Sequence, residues 1–448
     1  MVKVITYGTY DLLHYGHVRL LERAKALGDY LIVGVTSDDY DKTRGKINVQ
    51  QSLEERVAAV QATGVADKVI IEEYEGQKID DIKKYGIDIF TVGSDWVGYF
   101  DYLNEFCRVV YLPRTEGVSS TEIRDQKRAV NVGLVGYDKY LNKVFNECKY
   151  VNGVKVNAVW SNNTSEFTED LLALQPSTDM DDFLSKVEAL YIHSHPNAHF
   201  NQIKKALLAG KHVMCESPIA ETKEECAELI RLAKTRNCVL MESLRTAYST
   251  AYARMLLLIK GGKIGDVISI DATCTSLRTN STSGERWGGM TAWGPTALLP
   301  VFQILGTKYD ELSIISKCTE DSHIDEFSKI DIKYSKAVAT IKVGTGVKSE
   351  GELIISGTKG YVYVPAPWWK TDYFEIRYEN PENNRRYFYQ LDGEGIRYEW
   401  VSFLKMINAN TEGKAEETSY IDNIERDVSL AICSVIEQFN SGSNVKYI

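Results

Sequence analysis

The feature that most constrains this chain is its start. The apolar, β-branched run Val2-Lys3-Val4-Ile5-Thr6-Tyr7 is broken by Gly8 and followed by Thr9-Tyr10-Asp11-Leu12-Leu13-His14-Tyr15-Gly16-His17. Such a run reads as a strand, and the periodicity from Val18 to Lys25 reads as a helix. The two histidines then fall on the first helical turn, three residues apart and on one face. Orphan backbone N–H groups and the positive end of the helix dipole make that turn an anion site, so two imidazoles aimed into it predict a phosphate pocket. Gly8 and Gly16 allow close backbone approach, and Asp11 is placed to orient a ligand or a histidine.

A second motif, Arg114-Thr115-Glu116-Gly117-Val118-Ser119-Ser120-Thr121, follows about a hundred residues later. Ser119 with Glu122 three residues on fits a capping box, so the hydroxyls of Ser119, Ser120 and Thr121 start a helix suited to phosphate oxygens, and Arg114 adds a planar fork. Between the motifs, the strand-like Ile87 to Val92 leads into Gly93-Ser94-Asp95-Trp96. Together these segments resemble the nucleotidyltransferases that carry H-x-G-H and, within them, the glycerol-3-phosphate cytidylyltransferase group, over roughly residues 1–128. The run from Arg114 looks like that group's R-T-E-G-I-S-T-T, and Gly93 to Trp96 looks like its G-D-D-W, with Ser94 as a departure.

The resemblance implies transfer of CMP from CTP to glycerol phosphate or a related polyol phosphate, with Mg²⁺ accompanying the nucleotide. His14, His17, Lys46 and Arg114 are the implied catalytic residues. Gly8, Thr9, Tyr10, Asp11, Arg44, Arg56, Asp95, Trp96, Thr115, Ser119 and Ser120 are the implied nucleotide or acceptor contacts. Because a phosphomonoester nucleophile is already ionised, no strong general base is needed, and catalysis should rest on positioning and on neutralising charge at the α-phosphate and leaving group. No carboxylate cluster announces a protein-held metal.

From Ala129-Val130-Asn131-Val132-Gly133-Leu134-Val135-Gly136 onward, strand-like and helix-like segments alternate through Lys155–Trp160, Ala189–Ile192, Lys211–Cys215, Lys223–Thr235 and Val239–Glu242, which is a Rossmann-type pattern. His195-Pro196-Asn197-Ala198-His199, Gly210 to Pro218, Gly265-Asp266-Val267 and Gly357-Thr358-Lys359-Gly360 resemble the glucose–fructose oxidoreductase and inositol dehydrogenase family over about residues 130–448. The resemblance implies NAD(P)H and would place dinucleotide contacts at Gly133, Gly136, His195 and Glu216. The residues of that chemistry are mostly replaced. Asp138 and Leu141 stand where the fingerprint needs its second and third glycines, Ser217 stands for a lysine, and Ala292 and Thr296 stand for an acid and a histidine. Ser161-Asn162-Asn163, after the second strand, offers neither an acid for an NAD ribose nor an arginine for an NADP phosphate.

The expected architecture is α/β: a cytidylyltransferase domain over 1–128, a Rossmann-like domain over 129–245, and an α+β domain over 246–448 with a large open, mostly antiparallel sheet. A length of 448 residues and 44% hydrophobic content accommodate these cores. A net charge of −10 argues against nucleic acid as a partner. Eight scattered cysteines without metal spacing, no leader before the first strand and no run near the roughly 18 apolar residues of a membrane span predict a cytoplasmic protein with reduced thiols. A dimer or tetramer is the expected assembly. Two readings of the second half stay open: a ligand-binding or assembly domain without redox chemistry, or a reductase that supplies the polyol phosphate used by the first domain.

Overall fold

The computed structural model describes residues 1–43, 49–74, 76–113, 129–278, 280–282, 285–319, 324–389, 391–411, 424 and 426–448. The chain divides into two compact units, Met1–Arg128 and Ala129–Ile448.

In the first unit, β1 (Lys3–Gly8), β2 (Tyr30–Thr36), β3 (Lys68–Glu72), β4 (Ile89–Gly93) and β5 (Arg108–Leu112) form a sheet in the order β3-β2-β1-β4-β5. Every pairing is parallel, with Lys3 to Gly8 in register with Tyr30 to Val35 and Val4 to Thr6 with Ile89 to Thr91. Alternation along β1 serves both faces: Val4 packs with Leu21, Leu31, Val33 and Val60, whereas Ile5 and Tyr7 pack with Ile32, Phe90 and Phe100. Helix α1 (Tyr15–Lys25) buries Leu21 and Ala24 and ends with Arg23 and Lys25 at the negative end of its dipole. Truncating the fully buried Leu21 to Ala would cost about 2–5 kcal/mol. The strand order reverses direction at the β1/β4 boundary, so the crevice beyond the carboxyl ends of those two strands is where this topology binds ligands.

The second unit begins with another five-stranded parallel sheet, order β10-β9-β8-β6-β7, built from β6 (Val130–Gly136), β7 (Val154–Trp160), β8 (Ala189–His193), β9 (His212–Glu216) and β10 (Leu240–Ser243). Its crevice lies between β6 and β8. A nine-stranded mixed sheet follows. From edge to edge it runs Arg385–Phe388, Tyr373–Arg377, Tyr361–Val364, Leu353–Gly357, Val267–Ser276, Val338–Thr345, Asp325–Lys333, Glu311–Cys318 and Val445–Tyr447. Val267–Ser276 with Val338–Thr345, and Glu311–Cys318 with Val445–Tyr447, pair in parallel, and the other neighbours are antiparallel. The helix Gly289–Leu305, buried along most of its length, packs on the central strands.

Candidate active site

The first unit's site begins at Gly8, the last residue of β1. The backbone there turns through Tyr10 and Leu12, both with positive φ, at 54° and 49°. For residues with a Cβ this left-handed region costs on the order of 1–3 kcal/mol each, so surrounding contacts must enforce it. Asp11, buried, accepts the backbone N–H groups of Gln50 and Gln51, both at 3.0 Å, and Gln51 Oε1 accepts the Leu12 N–H at 2.7 Å. A Cβ on Gly8 would lie 3.0 Å from the Tyr10 ring, so glycine lets that ring close over the strand end. Asp11, read from the sequence as orienting a ligand or a histidine, also fastens the neighbouring turn.

The strained loop delivers His14 as the N-cap of α1 and His17 as its third residue. His14 Nδ1 accepts the Gly16 N–H at 3.1 Å, and His17 Nδ1 lies 3.5 Å from the His14 N–H, so the two imidazoles perform the reciprocal capping usually done by Ser/Thr and Glu/Gln. The rings stack, with centroids 4.0 Å apart and planes at 20°, and Tyr10 meets His17 edge-on at 5.6 Å. With both Nδ1 atoms accepting backbone protons, each neutral ring carries its own proton on Nε2. Two donors are therefore held in parallel at a helix N-terminus, which is the arrangement that stabilises charge developing on phosphoryl oxygens.

Across the β1/β4 boundary, the turn Ser94–Trp96 follows β4. Trp96 packs on Tyr99 and Phe100 at centroid distances of 5.4 and 5.8 Å and lines a small pocket with Tyr7, Gly8, Lys78, Phe90, Val92 and Phe100. The Asp95 side chain, and all of Arg44, Lys46, Arg114, Thr115, Ser119 and Ser120, lie outside the described residues.

Arg56, a ligand contact by the resemblance, is held in a buried network. Its side chain is fully buried and donates to the Thr9 carbonyl at 2.7 Å, the Thr36 carbonyl at 2.8 Å and the Gln51 carbonyl at 3.3 Å, with Asp41 at 3.5 Å and Asp38 as ion-pair partners. Thr9 joins the same network by donating its hydroxyl to Asp41 at 2.7 Å. Arg56 thus ties the ends of β1 and β2 together.

Sequence reading passed over a second buried network. Lys78 on the helix Gln77–Tyr85 pairs with Glu72 and sits over the Tyr7 ring at 4.8 Å, while Asp81 accepts from the Tyr7 hydroxyl at 2.9 Å and from Gln77 at 3.0 Å. Burial and the adjacent Asp81 push the Tyr7 phenol up, so it remains a donor. The i,i+4 spacing of Gln77 and Asp81 was the available signal.

In the second unit, Gly136 ends β6 in register with His193, and a Cβ on it would fall 2.5 Å from the His193 carbonyl oxygen. Gly133 is a packing glycine, since its Cβ would meet the Phe183 ring at 2.3 Å. Asp138 occupies the crevice mouth, where its Oδ2 lies 3.3 Å from His193 Nε2, and the Tyr140 ring lies 4.5 Å from the His193 ring. His195 caps the helix Pro196–Leu208 by accepting from Asn197 N at 3.3 Å, and Glu216 accepts the Tyr191 hydroxyl. Ser217 donates to Glu242 and Ser243 donates to Glu399 at 2.9 Å, and burial raises the pKa of both carboxyls.

These residues do not fit a dinucleotide. Asp138 stands where the fingerprint has its second glycine and its carboxylate would repel a pyrophosphate, Leu141 fills the space against Gly136, and the Ser161 hydroxyl is turned back onto the Asn163 carbonyl at 2.6 Å. Among the described residues no group of three or more His, Cys, Asp and Glu side chains is placed to hold a metal, and no helix is long and apolar enough to cross a membrane.

Comparison with known proteins agrees with the fold of each unit. Residues 5–126 match the family model described as cytidylyltransferase-like, and residues 130–244 match that of the oxidoreductase family with an NAD-binding Rossmann fold. The glycerol-3-phosphate cytidylyltransferase of Bacillus spizizenii is 52% identical over 124 residues, which are 28% of this chain and 95% of that protein. Its counterpart in Staphylococcus aureus is 47% identical over 126 residues, again 28% of this chain and 95% of the relative. A 3-ketoreductase from Actinomadura kijaniata, solved with NADP and TDP-benzene, superposes with a TM-score of 0.61 at 16% identity, covering 72% of this chain and 100% of its own. At that identity the match shows the fold alone.

Proposed function

Because the chain belongs to the cytidylyltransferase family through its first unit, we propose that it transfers CMP from CTP, bound as its Mg²⁺ complex, to glycerol phosphate or a related polyol phosphate. The products are a CDP-polyol and pyrophosphate. The single observation that carries this reading is the stacked His14/His17 pair, with both Nδ1 atoms engaged by backbone N–H groups at the β1/β4 crevice.

The acceptor's phosphate oxygen attacks the α-phosphorus, a P–O bond forms, and the bond to the bridging oxygen of the departing pyrophosphate breaks. Negative charge grows on the α-phosphoryl oxygens and on the leaving group. His14 and His17, donating from Nε2, meet that charge without moving, because their rings are fixed by the cap and by each other. Lys46 and Arg114 are assigned to the leaving group and Thr115, Ser119 and Ser120 to the nucleotide, on the motif they share with the family. Trp96 and Lys78 wall the pocket beside Gly8, which suits them to the acceptor. The product is an activated polyol phosphate of the kind that a polymerase of surface polysaccharide or teichoic-acid type consumes.

The second unit is read as a domain of oxidoreductase fold that takes no nicotinamide, on the misfit at Asp138, Leu141 and Ser161. The test is to incubate the full chain with CTP and glycerol phosphate, and separately with CTP, NADPH and keto-sugar phosphates, and to identify products by mass. A CDP-polyol from the pre-formed polyol phosphate, without nicotinamide oxidation, is the expected result. Product from a keto-sugar phosphate only when NADPH is consumed would replace this reading with a bifunctional enzyme whose second unit makes the acceptor.

A further inference from the structure

Three basic side chains from separate parts of the second unit converge on one carboxylate oxygen. Lys143 Nζ, Lys370 Nζ and Arg245 Nη1 stand 2.7, 2.9 and 3.8 Å from Oε2 of Glu394. Three positive charges thus face one negative charge. Of the nearby acids, Glu147 is paired with Arg397 and Asp392 lies 4.0 Å from the same arginine, while Glu216 and Glu399 act electrostatically on Arg245, so the excess positive charge rests on Lys143 and Lys370. The four side chains of the cluster are 32–41% exposed, so a small solute can reach them.

Glu394 reaches this position on a tight loop in which Gly393, Glu394 and Gly395 have φ of 57°, 54° and 91°. A Cβ on Gly393 would lie 1.9 Å from Glu147 Oε2, so the loop is pressed against the helix Tyr140–Cys148 that carries Lys143. A residue with a side chain is therefore held in the left-handed region to deliver a carboxylate to three cations. Burial works to raise the pKa of that carboxyl, yet hydrogen bonds from Lys143 and Lys370 hold it down at about 2. Arg245 is itself anchored over the Tyr140 ring at 5.4 Å, and Tyr140 packs on His193 at the β6/β8 crevice, so the cluster adjoins the crevice of the parallel sheet.

One carboxylate oxygen serves three donors poorly, whereas a phosphoryl group carries three terminal oxygens and up to two charges and offers each donor its own partner. We propose that Lys143, Arg245 and Lys370 form a binding site for the phosphoryl group of a small phosphomonoester, with Glu394 as the internal anion that the ligand displaces. Asp138, His193 and Tyr140 alongside supply hydrogen-bonding groups for the hydroxyls of a polyol or sugar. The site belongs wholly to the second unit and stands whether or not the first unit transfers CMP.

The test follows amide hydrogen exchange of the full chain over residues 140–146 and 391–398 while inorganic phosphate, glycerol phosphate or CTP is titrated at low ionic strength. Wild type should change saturably with phosphate and at lower concentration with glycerol phosphate. Glu394→Gln, which removes the competing charge, should lower both midpoints about tenfold. Lys143→Gln/Lys370→Gln should abolish the change, and Lys370→Gln alone, at an exposed position, gives the same reading at reduced size if the double variant folds poorly. Equal midpoints in wild type and Glu394→Gln, or no saturable change in any variant, would leave the cluster as a loop fastener and overturn the proposal. Saturation by CTP but not by glycerol phosphate would overturn the phosphomonoester assignment.

Discussion

Replacing His14 by Asn separates the two tasks that this side chain performs. As the N-cap of α1, His14 accepts the Gly16 N–H, and losing a side-chain cap costs on the order of 0.5–2 kcal/mol. Asn is among the preferred N-cap residues, so His14→Asn should keep the helix start within a few tenths of a kcal/mol. It cannot place a donor where Nε2 stands, because its amide is shorter than the imidazole and its oxygen is turned to the cap. The expected cost is that of one transition-state donor, about 10²–10³ in kcat, or about 2.7–4 kcal/mol. The assay is steady-state pyrophosphate release with CTP and glycerol phosphate, beside a melting curve of the same preparation. His14→Ala should lose the same rate and also melt lower. A His14→Asn enzyme that turns over within a few fold of the parent would refute the role given to the imidazole, and a large drop in melting temperature would refute the claim that Asn preserves the cap.

Arg56→Met should destabilise the first unit by about 3–5 kcal/mol in denaturant unfolding, because it removes the buried cation paired with the fully buried Asp41, whose charge the neutral Thr9 hydroxyl does not balance; a loss below about 1 kcal/mol would show that the ion pair is dispensable. His199 is held neutral, its pKa lowered to about 4 by burial even though carbonyl oxygens at 2.7 and 3.1 Å favour its protonation. Its contribution, up to about 3 kcal/mol, is therefore present above the unfolded pKa of about 6.5 and lost as pH falls from there toward 4, so His199→Gln should flatten the acid limb of a melting-temperature profile of the second unit. An unchanged profile would mean that other groups govern that limb. NADPH should not raise the melting temperature, whereas a dinucleotide bound at a hundredfold over its Kd would add about 2.7 kcal/mol, an easily seen shift.

Much of the framework was legible because it is local. A β-branched run ending at Gly8 and a periodic run from Val18 announce strand and helix without any distant contact. The second Rossmann pattern, with its broken fingerprint at Asp138 and Leu141, is equally a matter of neighbouring residues. What escaped reading depends on partners far apart in the chain. Arg56 reads in sequence only as a match to a family arginine, and only the fold shows Asp38, Asp41 and the carbonyls of Thr9 and Thr36 closing around it. The Lys78–Glu72 pair at the pocket wall joins a helix to a strand end, and the Glu394 cluster gathers residues from four separate segments. A single histidine capping the helix is an ordinary reading of the sequence, but that both would cap it reciprocally depends on a loop held at positive φ.

The most direct measurement is pyrophosphate release by the full chain from CTP or ATP, with and without glycerol phosphate. Release that requires both CTP and the acceptor, with ATP inactive and one CDP-glycerol formed per pyrophosphate, is the predicted result. Equal rates with ATP, release that ignores the acceptor, or no release with any polyol phosphate would contradict the assignment of CMP transfer to the His14/His17 site.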